Sequence, residues 1–339
     1  MIQHHAFILF TGPEMSNTPS NLLQLEEVFL STLHEKGRSH NTIKNYKTDL
    51  VCFNRYLEEE KKGIELKSFE LSHVTSYGPY LEKKYKADNS KRRRVQTLRV
   101  FFDFLVEKGH YPTNPVRAIL PSPKFLDIPR PTPFIDVKTL WTHLLDEERS
   151  NNPITRSIAR RNQLIVLLIF GGGLKVSDLA HLKKDHLFIE KETRVMITQT
   201  DREPYTVPLP ELFKTIYEKY LPDLKKLKDQ SKLTFDEILF HANPYQIISG
   251  GISPRGLEII FEEFRKKLMI NLTPRSLRQA CIFKWLHQKK KDSLIKEWLG
   301  LAPSYSLKPF KEHLMEYIYN EESLAEFYFH YEGKNYRKN

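Results

Sequence analysis

The sequence predicts a mainly α-helical protein with one small β-sheet, divided into two domains. Three observations carry this. From Leu22 to Arg117, apolar residues recur at the three-to-four spacing of amphipathic helices. Residues 121–133 (PSPKFLDIPRPTP) hold five prolines in thirteen positions, where helix cannot persist and extended chain is favoured. Beyond them, strand-like alternation is confined to Arg194–Thr200 and Tyr205–Val207, with Asp201 to Pro204 as the turn between.

The helical half reads element by element. Leu22, Leu25, Val28, Phe29 and Leu33 form one apolar stripe, ended by Gly37. Ser39-His40-Asn41-Thr42 is an N-cap cluster that leads into Ile43, Tyr46, Leu50, Phe53 and Leu57. A third helix is expected over Ser72–Tyr85. A fourth follows Asn89-Ser90, carries Val95, Leu98, Phe101, Phe102 and Leu105, and ends at Gly109. Residues 21–120 are therefore expected to be a small helical domain, residues 1–20 a loose arm or an upstream extension, and residues 121–135 a linker.

The remainder, 136–339, is expected to be mostly helical around the small sheet. Helices are predicted near 136–147 and 155–170, followed by the turn Gly171-Gly172-Gly173 and a short helix from Lys175. No GK[ST] follows the glycines, so they allow a tight turn and are not a phosphate loop. Further helices are predicted near 210–227, 254–268, 274–288, 292–299, 306–319 and 322–331.

Of 339 residues, 40% are hydrophobic and 28% charged, enough for one or two real cores and incompatible with global disorder. Lys and Arg total 53 against 42 Asp and Glu, a formal charge of +11 that favours an anionic partner, most simply nucleic acid. Cys52 and Cys281 form no CxxC pair, which excludes a disulfide framework and a cysteine zinc site and points to a reducing, cytoplasmic compartment. The longest apolar run, Leu164 to Phe170, is too short to span a bilayer. Residues 1–14 lack the charged n-region and cleavage site of a secretory signal. Thirteen histidines are scattered without HxxxH or HExxH, so neither a metal nor a cofactor is expected.

The positive charge is clustered. Residues 83–99 hold eight basic residues and one acid, Asp88; residues 265–291 hold nine basic residues and no acid. A solvated helix face is the plain reading of such runs. One cluster in each domain suggests instead a clamp on a duplex, with Lys44, Lys91, Arg92, Arg93, Arg94, Arg99, Lys284 and Lys289 as candidate contacts to double-stranded DNA.

The order of motifs resembles the tyrosine recombinases (phage integrase family), especially their Xer-like branch. Residues 39–57 (SHNTIKNYKTDLVCFNRYL) resemble the first helix of that family's SAM-like core-binding domain. Residues 91–116 (KRRRVQTLRVFFDFLVEKGHYPTNPV) resemble its last helix with the following Asn-Pro. Residues 170–182 (FGGGLKVSDLAHL) are similar to the first active-site motif, and 198–209 (TQTDREPYTVPL) to the β-hairpin that carries a lysine. Residues 273–280 (TPRSLRQA) are similar to the HxxR motif. Residues 296–301 (KEWLGL) with 308–310 (KPF) are similar to the segment bearing a second histidine and the nucleophilic tyrosine. The resemblance implies a two-domain tyrosine recombinase fold, a helical core-binding domain plus an α+β catalytic-type domain.

It also implies which chemistry to look for. In this family a tyrosine hydroxyl attacks a phosphodiester, two arginines brace the non-bridging oxygens, a lysine protonates the leaving oxygen, and histidines assist proton movement. Carried over position by position, the retained groups are Arg278, the HxxR arginine, and the acid Asp178. The first arginine is Lys175, which keeps the charge and loses the bidentate fork. The lysine position falls on Thr200, the first histidine on Arg275, the second on Leu301, and the tyrosine on Phe310, with Gln279 in the usual histidine slot beside Arg278. A phenyl ring cannot form a phosphotyrosine, so the expectation is a DNA-binding protein of recombination or integration that does not cut. The alternative is an active recombinase with a displaced nucleophile, Tyr305 or Tyr317. A third reading is a helical protein-interaction module. The expected partners are double-stranded DNA and a second copy or an active recombinase, with no membrane. The tail 321–332 packs either on its own domain or, as the family implies, on a neighbouring protomer.

Overall fold

A computed structural model describes residues 22–61, 71–118, 128–180, 182–199, 202–243 and 245–334. The expected arm 1–20, residues 121–127 of the expected linker, and Thr200 lie outside them. The chain divides into two compact units, Met1–Leu126 and Asp127–Asn339.

Unit 1 is helical: α1 (Leu22–Glu35), α2 (His40–Lys61), α3 (Leu71–Lys84) and α4 (Asp88–Glu107), then a 3₁₀ turn at Pro115–Ala118. The Ser39 hydroxyl accepts the Thr42 N–H at 3.3 Å, as the cap sequence requires, and Gly37 ends α1 with φ +71°. The core is aromatic. Phe29 meets Phe101 and Phe104 with ring centroids 5.3 and 5.4 Å apart, and Tyr56 meets Tyr77 at 5.0 Å. Asn114 explains the Asn-Pro of the sequence. Its amide donates to the Arg99 carbonyl at 2.8 Å and to Asp103 at 2.7 Å, and its oxygen accepts the Val116 N–H at 2.9 Å, tying the turn to α4.

Unit 2 holds α5 (Phe134–Glu148), α6 (Pro153–Val166), a π turn at Leu167–Gly171, and α7 (Val176–Leu179). Then come β1 (Leu187–Phe188), β2 (Arg194–Gln199), β3 (Arg202–Pro208), α8 (Glu211–Ser231), β4 (His241–Ala242) and β5 (Ile248–Ser249). It closes with α9 (Pro254–Leu268), α10 (Pro274–His287), α11 (Asp292–Trp298), α12 (Lys308–Glu312) and α13 (Glu322–Tyr331). The main sheet is antiparallel in the order β1-β2-β3, with Val195 opposite Val207. β1 and the pair β4-β5 are two-residue strands that alternation cannot reveal. The apolar run at 164–170 is wholly buried at the centre of the unit.

Two expectations need correction. The helix predicted over 306–319 stops at Glu312. A 3₁₀ turn follows, and Tyr317 is extended, because Tyr317 and Tyr319 turn into the core. Tyr319 donates from its hydroxyl to the Thr132 carbonyl at 2.8 Å. The linker expected over 121–135 is in its second half part of unit 2. Thr132 is buried, its N–H donates to the Ser276 carbonyl at 3.0 Å, and the Arg130 N–H donates to Gln279 Oε1 at 3.0 Å. Prolines fixed the extended shape there, and α10 supplied the partners for its backbone.

The tail helix α13 lies on its own unit. Trp141 Nε1 donates to the Leu324 carbonyl at 3.0 Å, Tyr331 donates to Asp146 at 3.1 Å, and Leu324 and Tyr328 are buried. Lys284 secures its start. This lysine is 1% exposed, donates to the Gly171 carbonyl at 3.1 Å and pairs with Glu321 at 2.7 Å.

Candidate nucleic-acid interface

The site is built on the glycine turn, α7, α9 and α10. A Cβ on Gly172 would stand 2.7 Å from a Leu209 methyl, and one on Gly173, with φ +67°, would stand 2.9 Å from the Trp285 ring. Only glycine lets this turn approach the core and present the Gly173 carbonyl to α10. The Lys175 backbone N–H donates to Asp178 Oδ2 at 2.8 Å, so Asp178 closes the first turn of α7. Thr273 caps α10 by accepting the Ser276 N–H at 3.0 Å. Arg275 then stands exposed at the helix start, and Arg278 is partly buried a turn later.

Arg278 is held by the backbone. Its Nε donates to the Gly173 carbonyl at 2.6 Å and its Nη2 to the Leu299 carbonyl at 2.9 Å, joining the glycine turn to the end of α11. Burial draws its guanidinium below the ordinary arginine pKa. The Asp178 carboxylate opposes that shift, as do Tyr205, Cys281 and Tyr305.

In front of Arg278 lies a cleft of about 520 Å³. Five cations line it: Lys175, Arg255, Arg265, Arg275 and Arg278. Two carboxylates, Glu258 and Glu262, line it as well. Glu258 accepts from Arg255 at 3.2 Å and Glu262 pairs with Lys266 at 2.9 Å; the hydrogen bond from Lys266 holds the Glu262 pKa below the usual range. The excess of cations gives the cleft a positive potential suited to a phosphate. The structure brings Lys175, Arg275 and Arg278 together; of the α9 residues there, the sequence reading had named only Arg265, as part of the basic run. The signal was available: 255, 258, 262 and 265 share one helical face.

Apart from Thr200, which lies outside the described residues, the remaining positions carried over from the resemblance pack into or brace the fold. Leu301 packs against the core, with its N–H donating to the Lys296 carbonyl at 2.8 Å. Phe310 is 5% exposed, its ring 5.5 Å from Phe283. Gln279 holds the chain before α5 through Arg130. Tyr317 meets the Phe283 ring at 4.9 Å, within the aromatic cluster. Tyr305 is 42% exposed and lies near enough to Arg278 to favour its charged form.

The expected DNA-facing set also changes. Lys284 is buried and leaves it. Lys91 is 7% exposed and pairs with Glu82 at 2.6 Å and Asp88 at 2.8 Å. Arg94, equally buried, lies 3.7 Å over the Tyr85 ring and donates to the Ser90 carbonyl. Arg93 donates to Asn45 and, at 2.8 Å, to the fully buried Asp49, while remaining 43% exposed. Arg99 is half-buried and donates to Gln96 at 3.3 Å. The run looked short of acids because Asp49, which takes Arg93, is 44 residues away in sequence, while Asp88 and Glu82 take Lys91. Lys44, Arg92 and Lys289 are exposed. Among the described residues no group of three His, Cys, Asp or Glu could hold a metal, and no helix is long and apolar enough to cross a membrane.

Comparison with known proteins agrees with this architecture. The family described as phage integrase, N-terminal SAM-like domain, matches residues 27–109. Along most of its length the chain is similar to a tyrosine recombinase XerD of Listeria monocytogenes, 24% identical over 280 residues, covering 82% of this chain and 90% of the relative. A tyrosine recombinase XerC of Staphylococcus aureus is likewise 24% identical, covering 81% and 87%. The fold is similar to that of a lambda integrase dimer bound to a COC′ core site, with TM-score 0.61, 17% identity, and 86% and 95% of the two chains covered. This chain has the tyrosine recombinase fold. A Tn1549 transposon integrase in complex with circular intermediate DNA shares it, with TM-score 0.59, 14% identity, and 89% and 98% covered. The sequence likenesses are to tyrosine recombinases, and the structural ones show the shared fold. The cleft before Arg278 lies within unit 2.

Proposed function

We propose that this protein binds duplex DNA in a recombination or integration setting and does not break it. The observation that carries the reading is Phe310. At the position where the resemblance puts the nucleophilic tyrosine, a ring without a hydroxyl is packed into the core against Phe283. Three further features support it. Lys175 and Arg275 stand where a bidentate arginine and a histidine would be needed. Arg278 spends two of its nitrogens on backbone carbonyls. The cleft still collects five cations, as a phosphate-holding site would. Loss of a single transition-state donor lowers rate by ~10²–10³, and loss of the nucleophile removes the covalent route altogether. DNA-bound relatives that pair as dimers support a second copy, or an active recombinase, as a partner on the same site.

The test is a nicked suicide duplex offered to the full chain. The expected result is a mobility shift with no adduct that survives SDS. Affinity should fall by ~10³ or more between 50 and 200 mM salt if six or more phosphates are neutralised. A second reading rests on Tyr305, exposed and electrostatically linked to Arg278. If an adduct forms and Tyr305→Phe abolishes it, the protein is a recombinase with a relocated nucleophile. Absence of any shift overturns both readings and leaves a protein-interaction module.

A further inference from the structure

Unit 1 contains a buried polar pair that the DNA-binding reading does not use. Glu26 on α1 is 7% exposed, and Asn54 on α2 faces it. The Asn54 amide nitrogen donates to Glu26 Oε2 at 3.0 Å. The other two oxygens of the same pair, Glu26 Oε1 and Asn54 Oδ1, are both buried and have no hydrogen-bond partner. Both are acceptors when the acid is ionised, and two unsatisfied buried acceptors on one contact are costly. One proton satisfies both. Placed on Oε1, it makes the carboxylic acid a donor to Asn54 Oδ1 and completes a two-bond acid–amide ring.

We propose that Glu26 is protonated in the folded protein and forms a cyclic acid–amide pair with Asn54, a proton-dependent clasp that holds α1 on α2. No charge offsets this. The charged side chains within a turn of the pair are Glu27 on α1 and Arg55 and Glu58 on α2; on α4, within a turn of the Phe101 and Phe104 rings that meet Phe29, they are Arg99, Asp103 and Glu107. None enters among the causes of the Glu26 shift, which are burial and, opposing it, the Asn54 hydrogen bond. Asp49 of α2 and Asp103 of α4 are taken by Arg93 and Arg117. Burial raises the Glu26 pKa from 4.5 to about 7.

The sign follows from linkage. The folded state keeps a proton that the unfolded state releases above its ordinary carboxyl pKa. The clasp is therefore fully formed below about pH 4.5 and lost as pH rises through about 7. Across that window the ratio of docked to undocked α1 should fall by roughly a hundredfold or more. A clasp that titrates there makes the docking of α1 sensitive to pH near neutrality.

The experiment is hydrogen exchange by mass spectrometry on the full chain from pH 5 to 8, corrected for the intrinsic pH dependence of exchange. Peptides from Leu22–Glu35 report the clasp, and peptides from unit 2 are the control. Wild-type α1 should lose protection as pH rises while unit 2 does not. Glu26→Gln keeps both hydrogen bonds as an amide–amide ring and carries no titrating proton, so its α1 should stay protected at every pH. Infrared difference spectra should show a protonated buried carboxyl in the wild type at pH 6 that Glu26→Gln lacks. The clasp is overturned if α1 protection is equally pH-dependent in Glu26→Gln, or if no protonated carboxyl is lost on that substitution. Should Glu26→Gln fail to fold, carboxyl carbon NMR on the wild type decides: titration of Glu26 near 4.5 rejects the proposal.

Discussion

The α4 helix of unit 1 and the cleft of unit 2 are both rich in cations, and they use them in opposite ways. On α4, Lys91 and Arg94 are absorbed into the fold and Arg93 is tied to Asp49, while Arg92 stays exposed. Asp49, fully buried, accepts from Arg93 and from Thr97 at 2.9 Å and lies 3.9 Å from Arg94. Glu82 and Asp88 take Lys91, and Asp103 takes Arg117 in two bonds of 2.7 Å. In the cleft, five cations converge from the N-terminus of α7, the face of α9 and the first turns of α10, with two carboxylates among them. A run of like charge in sequence is thus a poor guide to a binding surface. Convergence from separate elements is a better one: here it gathers five cations against two carboxylates.

The largest effects should come from removing the acids that hold buried cations inside. Asp49→Ala leaves Arg94 without its carboxylate and should cost about 3–5 kcal/mol, the penalty for breaking a buried pair. All three tryptophans lie in unit 2, so far-ultraviolet dichroism in urea should register this loss while tryptophan fluorescence does not. Glu321→Ala strands Lys284 and should cost a similar ~3–5 kcal/mol, this time visible in the fluorescence. If either variant unfolds like the wild type, the contrast between an absorbed and a presented charge weakens.

A middle-sized effect belongs to the cleft. Arg275→Ala and Lys175→Ala should each weaken all DNA sequences alike, by about tenfold at moderate salt, and flatten the salt slope by about one. Arg94→Met should leave that slope unchanged, since its guanidinium already lies on the Tyr85 ring. An Arg94 effect on the slope as large as that of Arg275 would reverse the comparison.

The smallest effect expected is on catalysis. Phe310→Tyr should yield no covalent adduct, because Lys175, Arg275 and Leu301 still stand in the other positions and such groups act as a unit. It should also cost about 1–3 kcal/mol by burying a hydroxyl beside Phe283, unless that hydroxyl finds a partner. Appearance of a denaturant-stable adduct in this variant would show that the surrounding geometry is intact.

The sequence by itself determined most of the helices and the small hairpin. Those features rest on local periodicity, on caps such as Ser39 and Thr273, and on proline, all of which act within a few residues. It also determined that position 310 has no hydroxyl. Tertiary structure alone decided which charges reach solvent. Asp49 and Arg93 are 44 residues apart, and Glu321 and Lys284 are 37 apart, so no window of sequence contains both partners. The break after Glu312 has the same origin: Tyr317 and Tyr319 gain more by burial against Phe283 and Phe170 than a continued helix would gain from its own hydrogen bonds. The two-residue strands were likewise settled by packing. Their local pattern is too short to compete until the core around Phe170 exists.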